Sequence, residues 1–310
     1  MIVTCRRVYS RHERIRCKGD RDRRDRKGRS TAKRKLRADP FMTPVLVFDI
    51  ETVPDTAALR GIHDLDPAMS DRDVAELAFQ RRRVQSGHDF LPVHVHRIVA
   101  LSLALRDADQ FKVWTLGRDG EDERSIVQRF FDGLGRFTPQ LVSWNGGGFD
   151  LPVLHYRALA HGVSAPRYWD QGEDDRDFKW NNYLSRYHTR HLDLMDLLAL
   201  YQPRNNVPLD QAARLLGLPG KLGMAGSQVW TAWCEGRTAE VCDYCETDVV
   251  NTYLIWLRFE LMRGHLDATA HAAEVALVRQ TIAATGEVHW ARYIDAWDGA
   301  AAPAVSGPAT

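Results

Sequence analysis

The run "VLVFDIETVPD" at residues 45–55 constrains this chain more than any other stretch. Val45 to Phe48 and Ile50 are apolar, and a short run rich in Val and Ile reads as a buried strand. Asp49 and Glu51 nevertheless stand inside that run and at its edge. Alternate residues of a strand point to the same face, so the two carboxylates leave it together. Burying an unpaired carboxylate costs several kcal/mol. Either a cation lies against this face, or the acids occupy the solvated end of an edge strand.

A cation would need further carboxylates from elsewhere in the chain. Mg²⁺ prefers oxygen ligands at about 2.0–2.1 Å and keeps some waters, so it is usually shared with substrate phosphates. Two segments can supply the oxygens. "SWNGGGFDLPVL" places Asp150 where a glycine turn feeds a helix, and "DYCETDVV" places Tyr244 and Asp248 four apart, on one helix face. Taken singly, Asp150 reads as an N-cap and Tyr244 as a half-buried helix residue.

With these segments in order, the chain resembles a family. Asp49-Ile50-Glu51-Thr52, Asn145-x-x-x-Phe149-Asp150 and Tyr244-x-x-x-Asp248 match the three motifs of the DEDD 3′–5′ exonucleases in their tyrosine variant. "FLPVHVHRIVALS", "HLDLMDLL", "LPGKLGMAGSQVW" and "YCETDVVNTYLIWLRFELMRG" are similar to the predicted exonucleases related to the proofreading domain of family-B DNA polymerases. The likeness runs from residue 45 to about 264.

That resemblance implies a ribonuclease-H-like α/β fold, a mixed sheet flanked by helices, and two Mg²⁺ or Mn²⁺ ions clamping an in-line phosphoryl displacement. It implies that Asp49 bridges both ions, that Glu51 and Asp248 hold the one that activates water, and that Asp150 serves the other. Tyr244 would orient the attacking water, since a phenol with a pKa near 10 is a poor base at neutral pH. Thr52, Asn145, Phe149 and Lys221 are the expected substrate contacts. Three have a blander reading: Asn145 in a tight turn, Phe149 in the core, Lys221 in a solvated glycine loop. Asp193 is a further candidate, supporting the acids from behind.

Other features weigh less. The spacing Cys242-x-x-Cys245 lacks two further zinc ligands and reads as core, and His94 and His96 share a face without a third partner. Arg157, Arg167 and Arg204 are candidates for the strand path, and Trp169, Trp180, Tyr183 and Tyr187 either stack bases or pin down a polar insert at 163–189.

Charge divides the chain. Residues 1–40 hold 16 Lys+Arg against 5 Asp+Glu, which leaves 26 basic and 36 acidic residues for the rest. The basic arm, 1–41, has too little apolar content to pack and is expected to be disordered. It either grips nucleic acid without sequence preference or lies upstream of a natural start at Met42. Five scattered cysteines, no apolar run of bilayer length and no signal-like N-terminus point to a cytoplasmic protein.

The element order predicted is strand, hairpin, helix, strand, helix, strand, then helices ending near residue 283. This gives one mixed sheet flanked by helices around one core, which by the resemblance is an exonuclease domain over 42–297, followed by a disordered tail over 298–310. The chain is expected to trim the 3′ end of single-stranded or frayed nucleic acid, DNA favoured over RNA, with no polymerase module attached. An exoribonuclease and an inactive nucleic-acid-binding module are the alternatives.

Overall fold

The computed structural model describes residues 43–300, so the expected basic arm and all but the start of the expected tail lie outside the described residues. The first strand, β1 (Val45–Pro54), is longer than the apolar run alone suggests. It is followed by α1 (Thr56–His63) and α2 (Asp71–Ser86), the latter opened by Ser70, whose hydroxyl accepts the Asp73 N–H. The hairpin β2 (His96–Asp107) and β3 (Gln110–Leu116) leads to α3 (Glu123–Phe137), β4 (Gln140–Ser143), α4 (Asp150–His161) and the short α5 (Pro166–Trp169). β5 (His191–Asp193) runs directly into α6 (Leu194–Leu198), and α7 (Leu209–Leu215), α8 (Val229–Cys234), α9 (Thr238–Met262), α10 (Ala268–Ala284) and α11 (Val288–Gly299) complete the chain.

The five strands form one mixed sheet in the order β3-β2-β1-β4-β5. β2 is antiparallel to β1 and β3, while β4 and β5 run parallel to β1. This is the mixed sheet, flanked by helices, that the element order anticipates. Among the described residues no helix is long and apolar enough to cross a membrane.

Period-two alternation in β1 divides the core. Leu46, Phe48 and Ile50 pack with α3 and α4 on one face, whereas Val45 and Val47 pack beneath α9 on the other. Val53 belongs to a smaller apolar cluster with Val241, Cys242 and Tyr244, at the start of the same helix. Asp49 and Glu51 therefore fall in the gap between two apolar patches, both roofed by α9. That helix is 25 residues long and buried on nearly every side, which explains its lack of an apolar stripe.

α11 was not anticipated. Its signal is Trp290, Tyr293 and Trp297 at helical spacing, of which Trp290 and Tyr293 are buried. Tyr293 donates to Asn251 Oδ1 at 2.8 Å, and Asn251 Nδ2 donates to the Gly220 carbonyl at 3.1 Å. The helix missed in the sequence thus braces the loop that carries Lys221.

Arg157 is a second correction. It does not face a strand path: its side chain is buried, donating from Nε to Glu123 Oε1 at 2.7 Å and pairing with Asp55 at 2.5 Å. Glu123 Oε1 also accepts the Ile98 N–H at 2.7 Å, so this arginine ties α4 to α3, β2 and the end of β1. Removing one partner of a buried ion pair strands the others, a loss of about 3–5 kcal/mol. We expect Arg157→Met to lower unfolding free energy by that amount in urea titrations, and Arg167→Met, whose guanidinium is partly exposed, to cost much less.

Candidate active site

β1 outruns β4. Only Val45–Val47 pair with β4, so the later residues of β1 lack a strand neighbour on that side. The Ile50 N–H that this leaves bare donates to Asp150 Oδ1 at 3.1 Å. Asp150 is thus the first residue of α4, not its cap, and its carboxylate is anchored to the strand that carries Asp49 and Glu51. Glu51 lies beside a bulge, where β2 inserts Val99 between the partners of Glu51 and Thr52.

The turn before α4 is built for close approach. A Cβ on Gly146 would lie 2.4 Å from Ser143 Oγ, and Asn145 adopts a positive φ of 67°. Asp193 at the end of β5 accepts the N–H groups of Asn145 and Gly147 at 3.0 and 2.9 Å. Its part is to clamp this turn. Asp196 is engaged elsewhere, in a bidentate pair with Arg186.

α9 brings the remaining groups down onto the strand. Asp49, Glu51 and Cys245 place ligand atoms within 4.8 Å of one another, and the Cys245 thiol donates to the Asp49 carbonyl at 3.4 Å. That cysteine contact was not read from the sequence; it follows from Cys245 following Tyr244 on α9. Asp248 lies one turn beyond Tyr244, and Lys221 Nζ meets Asp248 Oδ2 at 3.2 Å and donates to the Tyr244 hydroxyl. Lys221 is therefore not a solvated loop residue but the cation of the cluster.

Electrostatics separate this cluster from an ordinary ion-pair network. Burial, then the charges of Asp150, Asp248 and Glu51, raise the Asp49 carboxyl well above the usual range, with Lys221 pulling the other way. Burial and Asp248 raise Glu51, and burial raises Asp248 against the pull of Lys221. Burial pushes Asp150 up to about 7 although the Ile50 N–H holds it down. Four carboxylates thus share one ammonium. Asp248 Oδ1 is buried with no hydrogen-bond partner among the described residues. A set of hard oxygens short of positive charge, with one oxygen orphaned, fits divalent ions such as Mg²⁺ or Mn²⁺.

A second acidic group makes the contrast. Asp243, Glu246 and His289 also converge, but Arg118 spans them, at 2.8 Å to Asp243 and 3.1 Å to Glu246. Glu246 is lowered despite burial, because His289, Arg118 and Thr115 outweigh it. That cluster is already neutralised.

The other sequence candidates fall around the rim. The Thr52 hydroxyl bonds His96 Nδ1 at 2.8 Å, while His96 Nε2 bonds the Leu91 carbonyl at 3.1 Å. Phe149 packs edge-on against His96 and next to the half-exposed Phe90. His94 meets Tyr156 instead. Tyr183 is buried, donating to the Pro139 carbonyl at 2.7 Å, and pins the insert down. Trp169, Trp180 and Tyr187 are exposed. Arg167 pairs with Asp170 and Asp175, and Arg204 lies on the surface. Cys242 is a buried core residue.

The raised carboxyl pKa values set a pH dependence. A group whose folded pKa exceeds its unfolded value of about 4 stabilises the fold at low pH, and that stability is lost as pH rises through the folded pKa. Without divalent ions the protein therefore loses stability from about pH 4 upward, with Asp150 titrating near 7. Ions bind the ionised form, so the rise in Tm on adding Mn²⁺ should be small at pH 5.5 and several degrees at pH 8 by scanning calorimetry. Asp49→Asn should raise the metal-free Tm at pH 8 and shrink the Mn²⁺ response.

Three comparisons with known proteins follow this geometry. Residues 88–297 match the family described as "Predicted 3'-5' exonuclease related to the exonuclease domain of PolB". The matched part holds Asp150, Lys221, Tyr244 and Asp248; β1, with Asp49 and Glu51, precedes it and is hydrogen-bonded to β2 and β4. Among solved structures, the family B DNA polymerase of the hyperthermophilic archaeon Pyrobaculum calidifontis aligns over 71% of this chain and 24% of its own, at 17% identity and a TM-score of 0.44. A comparison with curated proteins finds no match. With most of its length matched, the chain belongs to the family of predicted 3′–5′ exonucleases related to the exonuclease domain of family-B DNA polymerases.

Proposed function

We propose that this chain is a divalent-metal-dependent 3′–5′ exonuclease that releases nucleoside 5′-monophosphates from single-stranded or frayed 3′ ends, with DNA the favoured substrate. The observation that carries the reading is the shared charge deficit of Asp49, Glu51, Asp150 and Asp248. No fold gains from burying four acids around one lysine; a site that admits cations with a phosphodiester does.

Two bound Mg²⁺ or Mn²⁺ ions would supply positive charge to the phosphodiester and make water acidic enough to attack. The chain's own part is to hold and orient. Asp49, more exposed than Glu51, Asp150 and Asp248, would be the ligand the two ions share. Glu51 and Asp248 would hold the ion that activates water, and Asp150, fixed by the Ile50 N–H, would serve the other. Burial raises the Tyr244 phenol above its ordinary value, so it stays protonated and orients the attacking water by a hydrogen bond. Water adds to phosphorus and gives up a proton to solvent, the bond to the upstream 3′ oxygen breaks, that oxygen takes up a proton as the new 3′ hydroxyl, and the phosphate leaves on the released nucleotide. In this reading Lys221 meets a phosphate oxygen, and Thr52, Asn145 and Phe149 contact the terminal nucleotide.

A 5′-labelled single-stranded oligonucleotide incubated with Mn²⁺ should give a descending ladder. Asp49→Ala should reduce the rate by about 1,000-fold or more, the loss of several kcal/mol of charge stabilisation; a ladder that persists at wild-type rate would refute the assignment. Tyr244→Phe keeps the ring and removes the hydroxyl. It should lower kcat by about 10- to 100-fold while leaving the Mn²⁺-induced Tm rise intact. Parallel DNA and RNA substrates test the sugar preference, and a faster RNA ladder would assign the chain as an exoribonuclease.

A further inference from the structure

The insert at 163–189 leaves a feature that the catalytic cluster does not use. A cavity of about 590 Å³ lies between this insert, the segment after β5 and the glycine turn that opens α4. Its volume is that of a ligand site. Asn145, Gly147 and Gly148 of the turn form one boundary, and Tyr187 and Tyr201 line it from the insert and from the segment after α6. Asp193 lines the cavity and also clamps the turn, so the cavity wall and the setting of Asp150 are one hydrogen-bonded piece.

The lining suits stacked bases. Tyr187 and Tyr201 meet edge to face at 5.0 Å between ring centres, and the Arg186 guanidinium lies 5.1 Å from the centre of Tyr201. Arg186 is itself fixed by its bidentate bond to Asp196. Tyr187 is 70% exposed. Leu200 and Tyr201 both adopt positive φ, 52° and 59°, a backbone that non-glycine residues rarely accept in succession. Both close the end of α6, where the Leu200 N–H donates to the Leu197 carbonyl at 3.1 Å and the Tyr201 N–H to the Asp196 carbonyl at 2.8 Å.

We propose that this cavity binds the nucleotides of a single strand that lie upstream of its 3′ end, with Tyr187 and Tyr201 stacking unpaired bases. The proposal rests on the exonuclease reading for the direction of the strand: an end seated at Asp49 and Asp150 leads past Asn145 into the cavity. Aromatic faces accept any base, so the groove confers length dependence and not sequence preference. An RNA strand would stack in the same way, so the groove does not read the sugar.

The test is the binding of a 5′-fluorescein 12-mer oligothymidylate, followed by anisotropy in EDTA at low salt, where no hydrolysis occurs. Tyr187→Ala should raise Kd by about 5- to 150-fold, the range for one lost base stack, and Tyr187→Phe should restore it. Because Tyr187 is exposed, its truncation leaves the fold intact, and an unchanged Tm checks this. A 12-mer with 5-iodouracil upstream of its 3′ terminus should cross-link on irradiation to the peptide containing Tyr187. Unchanged Kd in Tyr187→Ala, cross-linking elsewhere, or no binding by the wild-type protein would each overturn the proposal. The exonuclease reading fails separately: wild-type protein that binds through Tyr187 yet gives no ladder with Mn²⁺ would remove that reading and leave the groove.

Discussion

The hydrogen bond from the Ile50 N–H to the Asp150 carboxylate holds the site together. It exists because β4 stops after three paired residues while β1 continues, leaving a strand edge with no partner. An unpaired buried N–H is costly, and the first residue of α4 satisfies it. A group from one motif is thereby locked to the strand that carries two of the other three acids. The clamp of Asp193 on the preceding turn fixes the same helix start from the opposite side.

α9 supplies the second constraint. It covers the β1 face on which Val45, Val47, Asp49, Glu51 and Val53 all lie, so its apolar contacts on either side force the acids into a closed space. Each fully buried aliphatic side chain in those contacts contributes about 1.5–3 kcal/mol. That is enough for the two patches to hold a roof over carboxylates that repel one another. Lys221 offsets part of the repulsion, and the peptide group that joins it to Gly220 is held on both sides, by Asn251 on the Gly220 carbonyl and by Asp210 on the Lys221 N–H. The site is a region of local cost supported by its surroundings, the usual balance where stability yields to function.

Much of this was legible in the sequence. Alternation in "VLVFDIET" gives the shared face of Asp49 and Glu51, and the four-residue spacing of Tyr244 and Asp248 gives theirs, because both periods are fixed by backbone geometry. The order of elements gives the mixed sheet. What was not legible depends on tertiary packing. Arg157 in "LHYRALAHG" has the look of a surface residue, yet Glu123 and Asp55, distant in the chain, draw it inside. Lys221 sits in a glycine-rich loop whose position is set by α7 and α11, neither of which its own neighbours reveal. Tyr183 and Tyr187 are four residues apart in one aromatic insert, but one is a buried staple and the other an exposed ring.

The central claim is that four acids from three segments form one cation site. Crystals soaked in Mn²⁺ and measured at the manganese absorption edge test it most directly. The account predicts anomalous peaks within ligand distance of the Asp49 carboxylate, bounded by Glu51, Asp150 and Asp248. Peaks confined to the surface, or at the Asp243–His289 group with none at Asp49, would contradict it.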